Sequence, residues 1–201
     1  MTDISMTLKE NIVQEGLKLF SLKGFLSTSM NDILEAADTS KGGFYNHFKS
    51  KEDLFFAVLE KAGTIWREEN LAGLDRTASP IEKLEVLLDN YGNRYLKDAV
   101  NFPGGCVFIT LSAELSDQRQ HLSSEVDKRM TGLKNMINRL LGEAKESGEL
   151  KATANTEDAT EVLFNGMMGT SISFGANKST QNLDKSINSL ARYLEDLKLK
   201  P

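Results

Sequence analysis

The segment from Thr39 to Lys51 gathers the side chains best suited to chemistry on a polyanion. It holds Lys41, Lys49 and Lys51 and neither Asp nor Glu, a local charge of +3 within a chain of net charge −5. Tyr45, Asn46 and His47 add groups that can reach phosphate oxygens or the edges of bases. Read as a short helix over 41–47, the segment puts Phe44 and Phe48 on one side, where they anchor it to a core. Lys41, Tyr45, Asn46 and His47 then face outward. Gly42 and Gly43 are costly in a helix, each by about 0.8–1.0 kcal/mol relative to Ala. Close approach of the backbone to another surface accounts for tolerating them. A short exposed helix behind a second short helix and a tight turn has the form that enters a DNA major groove.

Other chemistries find little support. The 201 residues contain one cysteine, Cys106, and two histidines, His47 and His121. A disulfide framework and a thiolate zinc site are therefore excluded, and His47 has no second ligand at usable spacing. There is no Walker phosphate loop, G-x-S-x-G elbow or H-E-x-x-H helix. The expectation is a protein that is not an enzyme and needs neither metal nor cofactor. The acidic net charge argues against nucleic acid only if it is spread evenly, and here one tip is basic. No apolar run is long enough to span a bilayer and no signal peptide opens the sequence, so the expected location is the cytoplasm.

Positioning this tip requires helices, and helix signals recur from end to end. Thr7-Leu-Lys-Glu10 is a capping box, and Ile12, Val13, Leu17 and Phe20 follow at helical spacing. Gly24 is expected to end that helix in a left-handed conformation. Ser29 with Asp32 opens a short second helix, Asp38-Thr39 makes a turn, and Ser40 caps the third. Ser50-Lys-Glu-Asp53 opens a long helix through Trp66. Ser79-Pro80-Ile81-Glu82 starts another, expected to run on through Tyr91 and Tyr95. Phe102-Pro-Gly-Gly105 is a break, and helices are predicted over 106–115, 122–146, 156–176 and 183–198. The fold class is all-α, with about nine helices. A three-helix helix-turn-helix domain is placed at 1–53, and a domain for ligand sensing and dimerisation at 54–201.

The rear domain carries two patterns. Leu183, Ile187, Leu190, Leu194 and Leu197 repeat at 4-3-4-3 spacing, and the preceding helix carries Gly166, Gly169 and Ser173. The leucine stripe could be intrachain core. The favoured reading pairs the two helices with their copies in a four-helix dimer seam. Trp66, Tyr91, Tyr95, Phe102, Phe108, Met130, Phe164 and Met168 are candidates for an apolar ligand pocket, each also explicable as plain core. Cys106, at the start of a helix, is a further candidate, because amide dipoles there favour thiolate. The bland alternative is an inert buried cysteine.

The stretch from Ile12 to Leu59 resembles the DNA-binding domain of the tetracycline-repressor (TetR) family. The resemblance is carried by Phe20, Lys23-Gly24-Phe25, Thr28-Ser29-Met30, Asp32-Ile33, Ala36-Ala37, Ser40-Lys41-Gly42, Phe44-Tyr45, His47-Phe48, Ser50-Lys51-Glu52 and Leu54. It implies a homodimeric regulator that binds a double-stranded operator. It also implies a small-molecule effector, of unknown identity, that changes the spacing of the two heads. It places phosphate contacts at Thr28, Lys41, Tyr45, His47 and Lys51, and base-facing contacts at Thr39, Gly42, Gly43 and Asn46. Asp38 stands where the family usually has glycine, and Gly43 where a small hydroxylated or apolar residue is usual. Gly105-Cys106 through Leu111-Ser-Ala-Glu114 and Asp117 is similar to the matching segment of TetR-type repressors of electrophile detoxification. Within this resemblance the expected function is a repressor released by an effector or a thiol-reactive signal. An activator of the same family and a helical interaction module without DNA binding are the alternatives.

Overall fold

The computed structural model describes residues 6–115 and 118–199, so Asp117 lies outside the described residues. They form nine α-helices: α1 (Leu8–Lys23), α2 (Met30–Ala36), α3 (Lys41–Tyr45), α4 (Lys51–Asn70), α5 (Pro80–Asn90), α6 (Val107–Leu115), α7 (Gln120–Glu146), α8 (Thr156–Asn177) and α9 (Thr180–Leu197). A 3-10 turn (Leu74–Arg76) precedes α5 and a π-helical turn (Tyr91–Tyr95) follows it. Among the described residues the one β feature is an isolated bridge between Leu150 and Lys198. No described helix is long and apolar enough to cross a membrane.

The chain divides into two compact units. One holds residues 1–65 and 98–126, the other 66–97 and 127–201. Helix α4 therefore runs from one unit into the other, as does α7. Compactness thus divides the chain at other places than the expected boundary after residue 53.

In the first unit, local chemistry sets the helix starts. The Thr7 hydroxyl accepts the Glu10 amide while the Glu10 carboxylate accepts the Thr7 amide, and Ser29 and Asp32 do the same for α2. Such a cap contributes about 1 kcal/mol. At α4 the box is offset: Ser50 Oγ accepts the Asp53 amide at 3.1 Å, but Asp53 reaches back to the amide of Lys49, at 2.9 Å. Gly24 ends α1 with φ +78° and ψ 176°. The expected left-handed helical conformation is thus replaced by an extended one open essentially to glycine alone. The core centres on Phe20, Phe25 and Phe55, with ring centroids 5.5 and 5.3 Å apart in edge contacts. Each such pair adds about 0.5–1.5 kcal/mol beyond burial. Ile12, Leu17, Ile33, Phe44, Leu54 and Val58 complete it.

In the second unit, Ser79 caps α5 by accepting the Glu82 amide, with Pro80 in the first turn. The expected continuous helix to Tyr95 is interrupted. The Leu96 amide donates to the Tyr91 carbonyl, five residues back, at 3.0 Å. The wider turn stacks the buried rings of Tyr91 and Tyr95, 5.8 Å apart. The leucine stripe of α9 packs within the chain. Leu183, Ile187, Leu190 and Leu194 are buried within the single chain, and Leu197 is half-buried. Gly166 of α8 lies against the Leu190 side chain, and Gly92 against Ile187. These residues therefore contribute to the intrachain core. A stripe at 4-3 spacing shows that one face is covered but not by which neighbour.

Candidate nucleic-acid interface

Helices α2 and α3 are joined by a turn in which the amides of Ala37 and Thr39 donate to the carbonyls of Ile33 and Leu34, at 3.0 and 2.9 Å. Asp38 takes φ +47°, a left-handed conformation that Asp tolerates better than most residues. Ser40 Oγ then accepts the Gly43 amide at 3.1 Å and starts α3. The helix is shorter than the predicted 41–47, ending at Tyr45 with Asn46 as its cap. The His47 amide bonds to Phe44, three residues back, which tightens the last turn.

Phe44 and Phe48 are buried, with rings 5.6 Å apart, and fix α3 to the core. The opposite side is open. Lys41, Gly42, Asn46, His47 and Lys49 are exposed, and Tyr45 keeps 55% of its surface. Its ring stands at 88° to that of Phe44, one edge on the core and the remainder in solvent. Thr39 and Gly43 are half-buried. A Cβ on Gly43 would overlap the Thr39 hydroxyl, so here glycine makes room for the turn. By contrast, a Cβ on Gly42 would meet only Ser40 Oγ, at 3.7 Å.

Two residues expected on phosphates point inward. Thr28 is fully buried, and its hydroxyl donates to the Gly24 carbonyl at 2.6 Å. Lys51 Nζ donates to the carbonyls of Phe25 and Thr28, at 2.8 and 2.7 Å, and lies 4.3 Å from the centre of the Phe25 ring. Burial pushes the Lys51 ammonium below its ordinary pKa, against the opposing charge of Glu114. The physical reason is local: the α1–α2 loop leaves carbonyls without helical partners, and these two side chains serve them. Lys9, which the sequence reading missed, sits with Nζ 5.9 Å from the centre of the Phe48 ring. Leu8 beside it would touch a Cβ on Gly43. The start of α1 thus stands next to α3, and no local spacing announces that.

The pocket candidates are distributed over both units. Phe102, Cys106 and Phe108 are buried in the first. Tyr91 and Tyr95 are buried in the second, where the Tyr91 hydroxyl bonds to the Ser171 hydroxyl and donates to the Met167 carbonyl at 3.2 Å. Trp66, Met130, Phe164 and Met168, also in the second, are half-buried. The Cys106 carbonyl accepts the amides of Ile109 and Thr110 at 3.1 and 3.2 Å, which puts this residue at the N-terminal end of α6. On α8, Gly169, Ile172 and Ser173 are exposed, Ile172 by 59%.

Comparison with known proteins bears on both units. Residues 12–58 match the bacterial regulatory proteins of the tetR family, and residues 80–190 match the tetracyclin repressor-like C-terminal domain. The chain belongs to the TetR family. It is a DNA-binding transcriptional regulator with an N-terminal helix-turn-helix domain and a helical C-terminal domain. An HTH-type transcriptional regulator in the lacX 3' region of Lactococcus lactis subsp. lactis is 34% identical over 61% of this chain and 65% of that protein. The HTH-type transcriptional repressor NemR of Escherichia coli K12 is 23% identical over 89% of each chain. Among solved structures, a TetR transcriptional regulator from Chloroflexus aurantiacus superposes with a TM-score of 0.86 at 24% identity, over 96% of this chain and 97% of that one. The reduced form of E. coli NemR gives 0.76 at 21% identity, over 97% and 99%. These likenesses establish the TetR fold, and the family and these relatives are transcriptional regulators rather than enzymes.

Proposed function

We propose that this TetR-family chain is a cytoplasmic homodimeric repressor whose two α3 helices read an operator, and that a small molecule or a thiol-reactive signal releases it. The observation that carries the reading is the two-sidedness of α3: Phe44 and Phe48 face the core, while Lys41, Tyr45, Asn46 and His47 face solvent. Lys41, Tyr45 and His47 take phosphates. Thr39, Gly42, Gly43 and Asn46 approach base edges, Gly43 through its backbone. Lys51 has one N–H left for a phosphate, and Thr28 acts through the loop it closes. Two copies hold their α3 helices about 34–36 Å apart, one turn of DNA. The seam falls on the outer faces of α8 and α9, where Gly166, Gly169, Thr170, Lys185, Ser186, Ser189 and Leu190 line a shallow cleft of ≈ 390 Å³. Phe102, Cys106 and Phe108, with Trp66, Tyr91, Tyr95, Met130, Phe164 and Met168, are the effector-binding candidates.

Sequencing of genomic fragments retained by the pure protein tests the reading. Fragments sharing one inverted repeat, bound less tightly as salt rises, support it, and indiscriminate retention overturns it. The thiol branch has its own test. Operator binding by the parent chain and by Cys106→Ser is measured before and after treatment with an alkylating electrophile. Release of the parent chain but not of the variant is expected, and equal responses end that branch.

A further inference from the structure

The loop Gly24–Thr28 joins α1 to α2, so the reading pair α2–α3 hangs from it. Its backbone is gripped from both polarities. Glu114 of α6 accepts the amide of Phe25 at 2.6 Å through one carboxylate oxygen and the amide of Leu26 at 2.9 Å through the other. Lys51 of α4 takes the carbonyls of Phe25 and Thr28. A Cβ on Gly24 would stand 2.6 Å from the carboxylate carbon and from both its oxygens. The glycine and the close seat of Glu114 therefore require each other. Two more ties join α1 to the segment before α6: Gln14 Nε2 donates to Asn101 Oδ1 at 3.0 Å, and the Gly104 amide donates to Ser21 Oγ at 3.1 Å.

We infer that Glu114 is a positioning residue for DNA reading: its carboxylate ties the α1–α2 loop to α6, so that whatever holds the α2–α3 pair also holds α6. The inference rests on α3 being the reading helix. Charge-assisted bonds to two successive amides are the strong kind, and they fix the loop in direction as well as in place. Coupling of this sort is reciprocal. If α6 governs the reading pair, DNA held by the reading pair must steady α6, and no knowledge of the effector is needed to see it.

The test is amide hydrogen exchange on the full chain, alone and saturated with a duplex from the retained fragments. Peptides spanning 39–47 report the reading helix, and those spanning 107–115 report α6. In the parent chain, duplex should slow exchange in both, by about five-fold or more in α6, the lower end of ordinary coupling between sites. Glu114→Gln keeps the side-chain volume and removes one of the two acceptors. In that variant 39–47 should still be slowed by duplex while 107–115 is not. A role in stability alone would speed exchange with and without duplex and leave the difference intact. Duplex that leaves α6 unchanged in the parent chain overturns the inference whatever the variant does. So does slowing of α6 that persists in Glu114→Gln. Should that variant not fold, Glu114→Asp, shortened by one methylene, carries the same comparison. A parent chain that binds no duplex overturns both this inference and the reading beneath it, and shows in a gel shift run before any variant is made.

Discussion

Asp32 shows how one side chain serves several groups at the edge of the reading pair. The Lys23 ammonium beside it, at 2.8 Å, and the amide and hydroxyl of Ser29 hold its carboxyl down at about 2. A carboxyl depressed by folding stabilises the fold above its unfolded pKa, near 3.8, and loses that contribution as pH falls through about 2. The Ser29 amide resonance, followed by NMR through acid, should move with a midpoint near 2 rather than near the ordinary Asp value. A midpoint near 4 would remove Lys23 and Ser29 as partners. Lys41 is the opposite case, an exposed charge whose worth lies in what it meets. Lys41→Ala should weaken binding to specific and non-specific duplexes alike. The slope of log affinity against log salt should fall by about 0.9, one phosphate's worth. An unchanged slope would take Lys41 off the backbone. Thr28 and Lys51 mark the limit of sequence reading at this scale. The family resemblance gave them a phosphate-facing role, but the carbonyls they bond belong to a loop whose shape no spacing encodes. Lys9 was missed for the same reason, since only folding brings the start of α1 beside α3.

At the scale of elements, what was legible is what is local. The caps at Thr7, Ser29, Ser40 and Ser79 each join residues three apart, and all four form. The π turn over Tyr91–Tyr95 was not legible, because periodic apolar residues fit a helix with or without one wide turn. Nor was the destination of the α9 stripe, since Leu190 and Ile187 are covered by glycine-bearing turns of the same chain. Helix α3 offers a test in which stability and function should part. Gly42 has open space where a methyl would go, so Gly42→Ala should stabilise the chain by up to about 0.8–1.0 kcal/mol through helix propensity. The same methyl stands on the exposed side and should weaken operator binding. Denaturant midpoints and duplex affinities would be read on one preparation. Shifts of the same sign in both would show that the backbone at Gly42 does not approach DNA.

At the scale of the whole molecule, a reader of two half-sites needs two copies. The proposed association draws on the outer face of α8 with that of α9, and on α8 Ile172 and Val162 keep 59% and 44% of their surface. Ile172→Glu should yield a folded monomer by light scattering. Its operator affinity should fall by roughly a hundred-fold or more, because the second head loses its effective concentration. A dimer that survives this change would move the seam elsewhere.

The order in which the two units draw on the chain has a consequence for synthesis. The first unit is supplied by residues 1–65 and 98–126, so every part of it has left the ribosome once 126 is clear. The second includes a closure between segments some fifty residues apart: the Lys151 amide meets the Leu197 carbonyl at 3.0 Å, and the Leu199 amide meets Glu149 at 2.8 Å. Translation at ordinary speed separates the two events by on the order of ten seconds. In that interval a nascent chain has all the residues of the first unit while the second is still incomplete. On the proposed function, single heads on unfinished chains would touch DNA weakly and let go, and firm occupancy would begin only once the second unit has closed.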